Sequence, residues 1–151
     1  MRDIASLAEL KALVGLEVGV SRWFEMSQQR IGTFADATDD HQWIHLDHDR
    51  AARESPFGGT VAHGFLTLSL LPAMLEDAIV MRDVKMGLNY GLNKVRFPAP
   101  VPAGSRVRAR ITLGAVDEFA GGAQLIWDVV VEREGSDKPV CVAEFLVRRY
   151  P

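Results

Sequence analysis

Gly64-Phe65-Leu66-Thr67-Leu68-Ser69-Leu70-Leu71-Pro72-Ala73-Met74-Leu75 decides how this chain folds. It closes an uncharged segment that begins at Val61, and the next charge is Glu76. The pattern predicts a helix from Gly64 to about Met81. Over residues 65–75 it is apolar on nearly every side, and a helix of that kind is expected to be buried all round. Pro72 removes a backbone donor and crowds the preceding turn, so a kink or break is expected there. The segment is too short to span a bilayer. Beyond it the pattern changes to a period of two. Strands are predicted over 89–97, 106–113, 123–132 and 140–148, with Val107, Ala109 and Ile111 alternating against Arg106, Arg108 and Arg110. The turns are Pro98–Gly104, Gly121-Gly122 and Gly135–Asp137. Short turns between consecutive strands imply an antiparallel sheet. The expected class is α+β: a single domain, residues 1–151, with an antiparallel sheet wrapped around one long buried helix.

Upstream, residues 6–13 are expected to form a short helix and Glu17–Met26 a strand. Ser27 is placed to cap a helix reaching about Ala37, and Asp47 or Asp49 to cap a short turn ending near Ser55. The chain has 151 residues, enough for one core. Hydrophobic residues make up 48% and charged residues 25%, a balance that excludes disorder. Cys141 is the single cysteine, which rules out an intrachain disulfide and a cysteine-based zinc cluster. A net charge of −3 gives no nucleic-acid footprint. The first residues carry an early acid and no apolar signal core. A cytoplasmic protein without a membrane span is expected.

Three clusters carry polar chemistry. Residues 38–49 hold Asp39, Asp40, His41, His45, Asp47, His48 and Asp49, including three of the four histidines. A solvated loop, a metal site built on His41, His45 and His48, and an acid–base site all fit that composition. For the last, a carboxylate and an imidazole five residues apart converge to hold and deprotonate a water. The second cluster is His63-Gly64, where a glycine amide opening the helix is placed to meet a developing oxyanion; alternatively Gly64 only eases a tight entry. The third is electrostatic. Residues 84–116 contain six Lys and Arg and no acid, leaving eleven bases against all twenty acids elsewhere. That stretch fits a solvated sheet face or a site for phosphates.

The stretch Phe34-Ala35-Asp36-Ala37-Thr38-Asp39-Asp40-His41-Gln42-Trp43-Ile44-His45-Leu46-Asp47, followed by Val61-Ala62-His63-Gly64-Phe65, resembles the MaoC-like (R)-specific enoyl-CoA hydratases. Asn89 to Val101 also looks like the NodN-like branch of that family. The resemblance covers nearly the whole chain and implies a hot-dog fold. It assigns Asp40 and His45 as the catalytic pair and Gly64 as the glycine whose amide polarises the thioester carbonyl. Gln42 stands at the usual asparagine that orients the pair, and His63 is placed with it as substrate-positioning. Asp39 stands at a usual glycine and Trp43 at a usual proline. Pro72 falls where some relatives carry a serine.

The implied reaction adds water to a trans-2-enoyl thioester and gives the (R)-3-hydroxyacyl thioester. It needs no metal and no other cofactor. Coenzyme A, or an acyl-carrier protein, is the substrate's handle, and Lys94, Arg96, Arg106 and Arg108 are candidates for its phosphates, with Arg110 beside them. A homodimer is implied as well. Two rivals remain: a thioesterase, which would need a carboxylate on the central helix, and a non-catalytic acyl-thioester-binding or regulatory module.

Overall fold

A computed structural model describes residues 1–151. In chain order the elements are β1 (Arg2–Ile4), α1 (Leu7–Lys11), β2 (Glu17–Val20), β3 (Phe24–Glu25), α2 (Gln28–Thr38), α3 (Trp43–Leu46), α4 (His48–Glu54), α5 (Gly64–Ser69), α6 (Leu71–Ala78), β4 (Ile79–Met81), β5 (Met86–Arg96), β6 (Arg106–Phe119), β7 (Gly122–Arg133) and β8 (Cys141–Tyr150).

The main sheet runs β2-β6-β7-β8-β5, with β3 also on β6, and every pairing in it is antiparallel. Alternation fixes which residues face the core. Ala109, Ile111 and Leu113 on β6 stand opposite Val131, Val129 and Trp127 on β7. The last three stand opposite Cys141, Ala143 and Phe145 on β8. All nine are buried. A one-residue slip would turn the whole set outward, so this face pins the register. Against it lie Leu66 of α5 and Leu71, Met74, Leu75 and Ala78 of α6. This is the hot-dog arrangement, and the α+β class is as expected; β6, β7 and β8 follow one another as expected, but β5 does not join β6 across Pro98–Gly104 and instead pairs with β8 at the far edge.

The central element breaks beside Pro72 as expected and differs from its expectation in two other ways. It breaks at Leu70 into α5 and α6, and Pro72 sits in the first turn of α6. There its missing N–H is one that lacks an intrahelical acceptor in any case. The segment is also not buried all round. Phe65, Ser69, Ala73 and Glu76 form an exposed stripe, because one sheet covers only one side of a helix. Residues 79–81 are not helical: they form β4, which pairs in parallel with β1.

Other bounds shift by smaller amounts. The expected strand 17–26 is interrupted between Val20 and Phe24, β5 starts at Met86, and β6 continues to Phe119 past a bulge after Leu113. The caps behave as expected. Ser27 Oγ accepts from Arg30 N–H at 3.1 Å, and Asp47 Oδ1 from Arg50 N–H at 2.9 Å. No helix is long and apolar enough to cross a membrane.

β5 is an edge strand, paired only with β8. Met86, Leu88, Tyr90 and Leu92 along it are all exposed.

Candidate active site

Helix α2 ends at Asp39, which takes a left-handed conformation (φ 59°, ψ 18°). Glycine reaches that region without strain and aspartate tolerates it, which gives a physical reason for the family's glycine at this position. The turn carries Asp40 away from the helix axis. Its Oδ1 accepts the backbone N–H of Gln42 at 3.3 Å. The Gln42 side chain makes no bond to it.

His45 lies in the single helical turn of α3, not in a loop. It is 6% exposed. Its Nδ1–H donates to the Val61 carbonyl at 2.7 Å, while Val61 N–H donates back to Ile44 C=O at 3.0 Å. A ring nitrogen that donates to a carbonyl leaves the other as a lone pair, so Nε2 is the basic atom. Gln28 holds the turn from outside: its Nε2–H donates to His45 C=O and its Oε1 accepts from Thr60 Oγ1, both at 2.7 Å. Burial is the chief reason that the His45 pKa falls below its ordinary 6.5, with help from His63; the Val61 contact and Asp40 pull the other way. The ring is therefore neutral at physiological pH.

His63, immediately before α5, is 3% exposed. Its ring stacks on that of His45 at 3.7 Å between centroids, and Phe34 packs on it at 4.9 Å. Its Nε2–H donates to the backbone carbonyl of Asp40 at 3.0 Å. His63 therefore touches both expected catalytic residues. One donor atom each of Asp40, His45 and His63 falls within 4.8 Å of the other two.

In kind, two imidazoles and a carboxylate suit a divalent ion. In orientation they suit it poorly. The ring planes are 24° apart and stacked, so their in-plane lone pairs run side by side and do not converge on one point. The alternative set His41, His45 and His48 is not assembled: His41 turns out to Asp36 at 2.9 Å, and His48 is exposed at the start of α4.

A cavity of about 380 Å³ adjoins His45, lined by His45, Gly64, Thr67, Phe97 and Val101 among others. Gly64 opens α5, so its N–H has no intrahelical acceptor. The Phe97 ring lies where a side chain at Gly64 would project, 3.0 Å from an ideal Cβ. A second cavity of about 390 Å³, between α6 and the start of β5, has mainly apolar walls, with Glu76 and Lys85 among its lining residues and no histidine.

The basic stretch does not form one patch. Arg106 pairs with Glu134, Arg108 with Glu132 and Arg110 with Glu17. Each arginine alternates outward from β6 and meets an acid from a neighbouring strand or turn. The asymmetry read along the chain is thus offset in space for these three arginines, and Arg106 and Arg108, both candidates for the substrate's phosphates, are each already paired with a glutamate. Lys94 and Arg96, on β5, have no carboxylate within ion-pair distance. Reading the sequence also missed Gln28 and the Val61 carbonyl. They stand 17 and 16 residues from His45, and no local signal links them.

A profile of the MaoC-like domain matches residues 9–132. The chain belongs to the MaoC-like dehydratase family. This MaoC-like protein is 53% identical over 149 residues to the 3-hydroxyacyl-thioester dehydratase Z of Mycobacterium tuberculosis, covering 98% of each chain. It is 49% identical over 144 residues to nodulation protein N of Rhizobium leguminosarum, covering 93% of this chain and 89% of that protein. Among solved structures it resembles the (R)-hydratase of A. caviae involved in PHA biosynthesis, with TM-score 0.68 and 25% identity, covering 91% and 98% of the two chains. The MaoC-like assignment agrees with the antiparallel sheet and with the His63-Gly64 step into α5.

Proposed function

We propose that the protein is an (R)-specific enoyl-thioester hydratase, working reversibly as a 3-hydroxyacyl-thioester dehydratase. The observation that carries this reading is the fixed tautomer of His45: a neutral, buried imidazole with Nε2 free, beside Asp40, on a cavity that also holds Gly64. Asp40 and His45 hold one water between them. As its oxygen bonds to the β-carbon of the enoyl thioester, the pair takes up one proton. The electron pair of the C=C bond moves toward the thioester carbonyl, and Gly64 N–H stabilises the enolate oxygen that forms. The pair then returns a proton to the α-carbon on the same face. One water is consumed, and no metal or redox group takes part.

The handle of the substrate is coenzyme A or an acyl-carrier protein, with Lys94 and Arg96 as the cations free to meet its phosphates. The protein works in the cytoplasm as a homodimer. The bare edge of β5 and the exposed stripe of α5 and α6 support the pairing, since long apolar edges are covered in working proteins. A thioesterase is disfavoured because the helix segment lining the His45 cavity carries no carboxylate.

The test is loss of the enoyl-thioester absorbance band of crotonyl-CoA, with chiral analysis of the product. Mainly (R)-3-hydroxybutyryl-CoA is expected. The (S) product, or free coenzyme A without hydration, would overturn the reading.

A further inference from the structure

Thr67 is 1% exposed and lines the same cavity as His45 and Gly64. Its hydroxyl is buried and bonded to nothing. This sets it apart from the other hydroxyls within helices α2 and α5. Thr33, Thr38 and Ser69 each donate to the carbonyl four residues back, at 3.0, 2.7 and 2.6 Å. The equivalent carbonyl for Thr67 is that of His63, which accepts only the backbone N–H groups of Leu66 and Thr67. A buried hydroxyl left unpaired is destabilising, and valine would fill nearly the same volume without that cost. A partner that arrives with the ligand removes it.

The side chain of a helical residue leans toward the helix N-terminus, which brings Thr67 toward the turn that Gly64 opens. An acyl thioester has one strong acceptor near its reacting carbons, the carbonyl oxygen. We propose that Thr67 is a further catalytic residue, donating its hydroxyl hydrogen to the thioester oxygen beside Gly64 N–H. The inference rests on the hydratase reading given above. The interaction strengthens as the oxygen becomes an enolate, so it acts on turnover more than on binding.

Thr67→Val and Thr67→Ser are compared with wild type on crotonyl-CoA. Thr67→Val is expected to lower kcat by on the order of 10²-fold, with KM within about threefold, and to melt no lower than wild type. Thr67→Ser keeps the hydroxyl and is expected to stay within about fivefold of wild-type kcat. A second measurement needs no turnover. Acetoacetyl-CoA is titrated into each protein and its enolate followed by near-ultraviolet absorbance. Wild type and Thr67→Ser are expected to favour the bound enolate, and Thr67→Val to favour it at least tenfold less.

Wild-type kcat in Thr67→Val overturns the proposal. So does equal loss in Thr67→Ser, which would make the γ-methyl packing responsible. Lost turnover with unchanged enolate binding also overturns it, since Thr67 would then act through the unpaired Nδ1 of His63. If wild type fails to hydrate crotonyl-CoA, the hydratase reading falls by itself. The titration still decides Thr67: equal enolate binding by wild type and valine variant, or none by either, overturns its role.

Discussion

Asp40→Asn and His45→Ala are expected to have similar effects on turnover and very different effects on stability. The Asp40 side chain is exposed and accepts one backbone N–H at 3.3 Å. An asparagine oxygen accepts the same bond, so stability should stay within about 0.5 kcal/mol. His45 is buried, donates to Val61 C=O at 2.7 Å and stacks on His63 at 3.7 Å. Alanine leaves that carbonyl unpaired, at about 1–3 kcal/mol, and removes a ring contact worth about 0.5–1.5 kcal/mol. The sum, about 1.5–4.5 kcal/mol, lowers the melting temperature by on the order of 10 °C in a domain of this size. Each loss of a general acid–base group costs about 10²–10⁴ in kcat, or about 3–5.5 kcal/mol of barrier. The two groups share one water, so the double variant should be little worse than the worse single one. The assay is steady-state hydration of crotonyl-CoA on samples whose fold is checked by circular dichroism and thermal melting. His41→Ala and His48→Ala, both at exposed positions, are controls expected near wild type. Asp40→Asn within threefold of wild type, or a control histidine as damaging as His45, would refute the assignment.

Because burial holds the His45 pKa below 6.5, its neutral form survives to lower pH than in an ordinary histidine. The acid limb of kcat/KM is expected below pH 6.5. The stability contribution has the matching sign: it is complete above the unfolded value and declines as pH falls toward the folded one, where the unfolded chain binds the proton first. A pH titration of rate and melting temperature checks both. Arg106→Ala, Arg108→Ala and Arg110→Ala should leave KM for acyl-CoA within about twofold, since exposed ion pairs are worth about 0–1 kcal/mol. Lys94→Ala with Arg96→Ala should raise KM severalfold at low salt and less at 1 M, where the Debye length is about 3 Å; initial-rate kinetics at two salt concentrations separate the groups. Treatment with a strong chelator should leave full activity. A loss restored by zinc would instead make Asp40, His45 and His63 an ion site.

Alternation on β6, β7 and β8 was readable because each strand has one buried face, and Trp127, Phe145 and their neighbours declare it. β1 and β4 were not readable: each is three residues long, and their pairing joins residues 2–4 to 79–81. The long helix was overestimated because its chain covers only one side of Phe65-Leu75, and apolar composition alone does not say that a side stays exposed. Asp40, His45 and Gly64 were legible only through the family resemblance; in the structure His45 and Gly64 line one cavity, and Asp40 lies beside His45. The part played by His63 was only half legible. Its position beside Gly64 was plain, but its bond to the Asp40 carbonyl and its stack on His45 depend on three segments meeting. Charge was the least legible property. The period-two arginines of β6 looked unopposed along the chain, while their acids, Glu17, Glu132 and Glu134, come from β2, β7 and the turn after it.

The homodimer proposed above, pairing along β5, would make the protein's stability a matter of mass action. The strand has no proline, and its first charge is Lys94, so from Met86 to Asn93 nothing repels another strand. Once two copies pair there, unfolding must also dissociate them, and the melting temperature climbs with protein concentration. In a dilute sample the same edge stands bare and accepts any extended chain, including a half-folded copy of itself. Refolding yield should therefore depend on how quickly the correct partner arrives, and a melting curve recorded at one concentration describes that concentration alone.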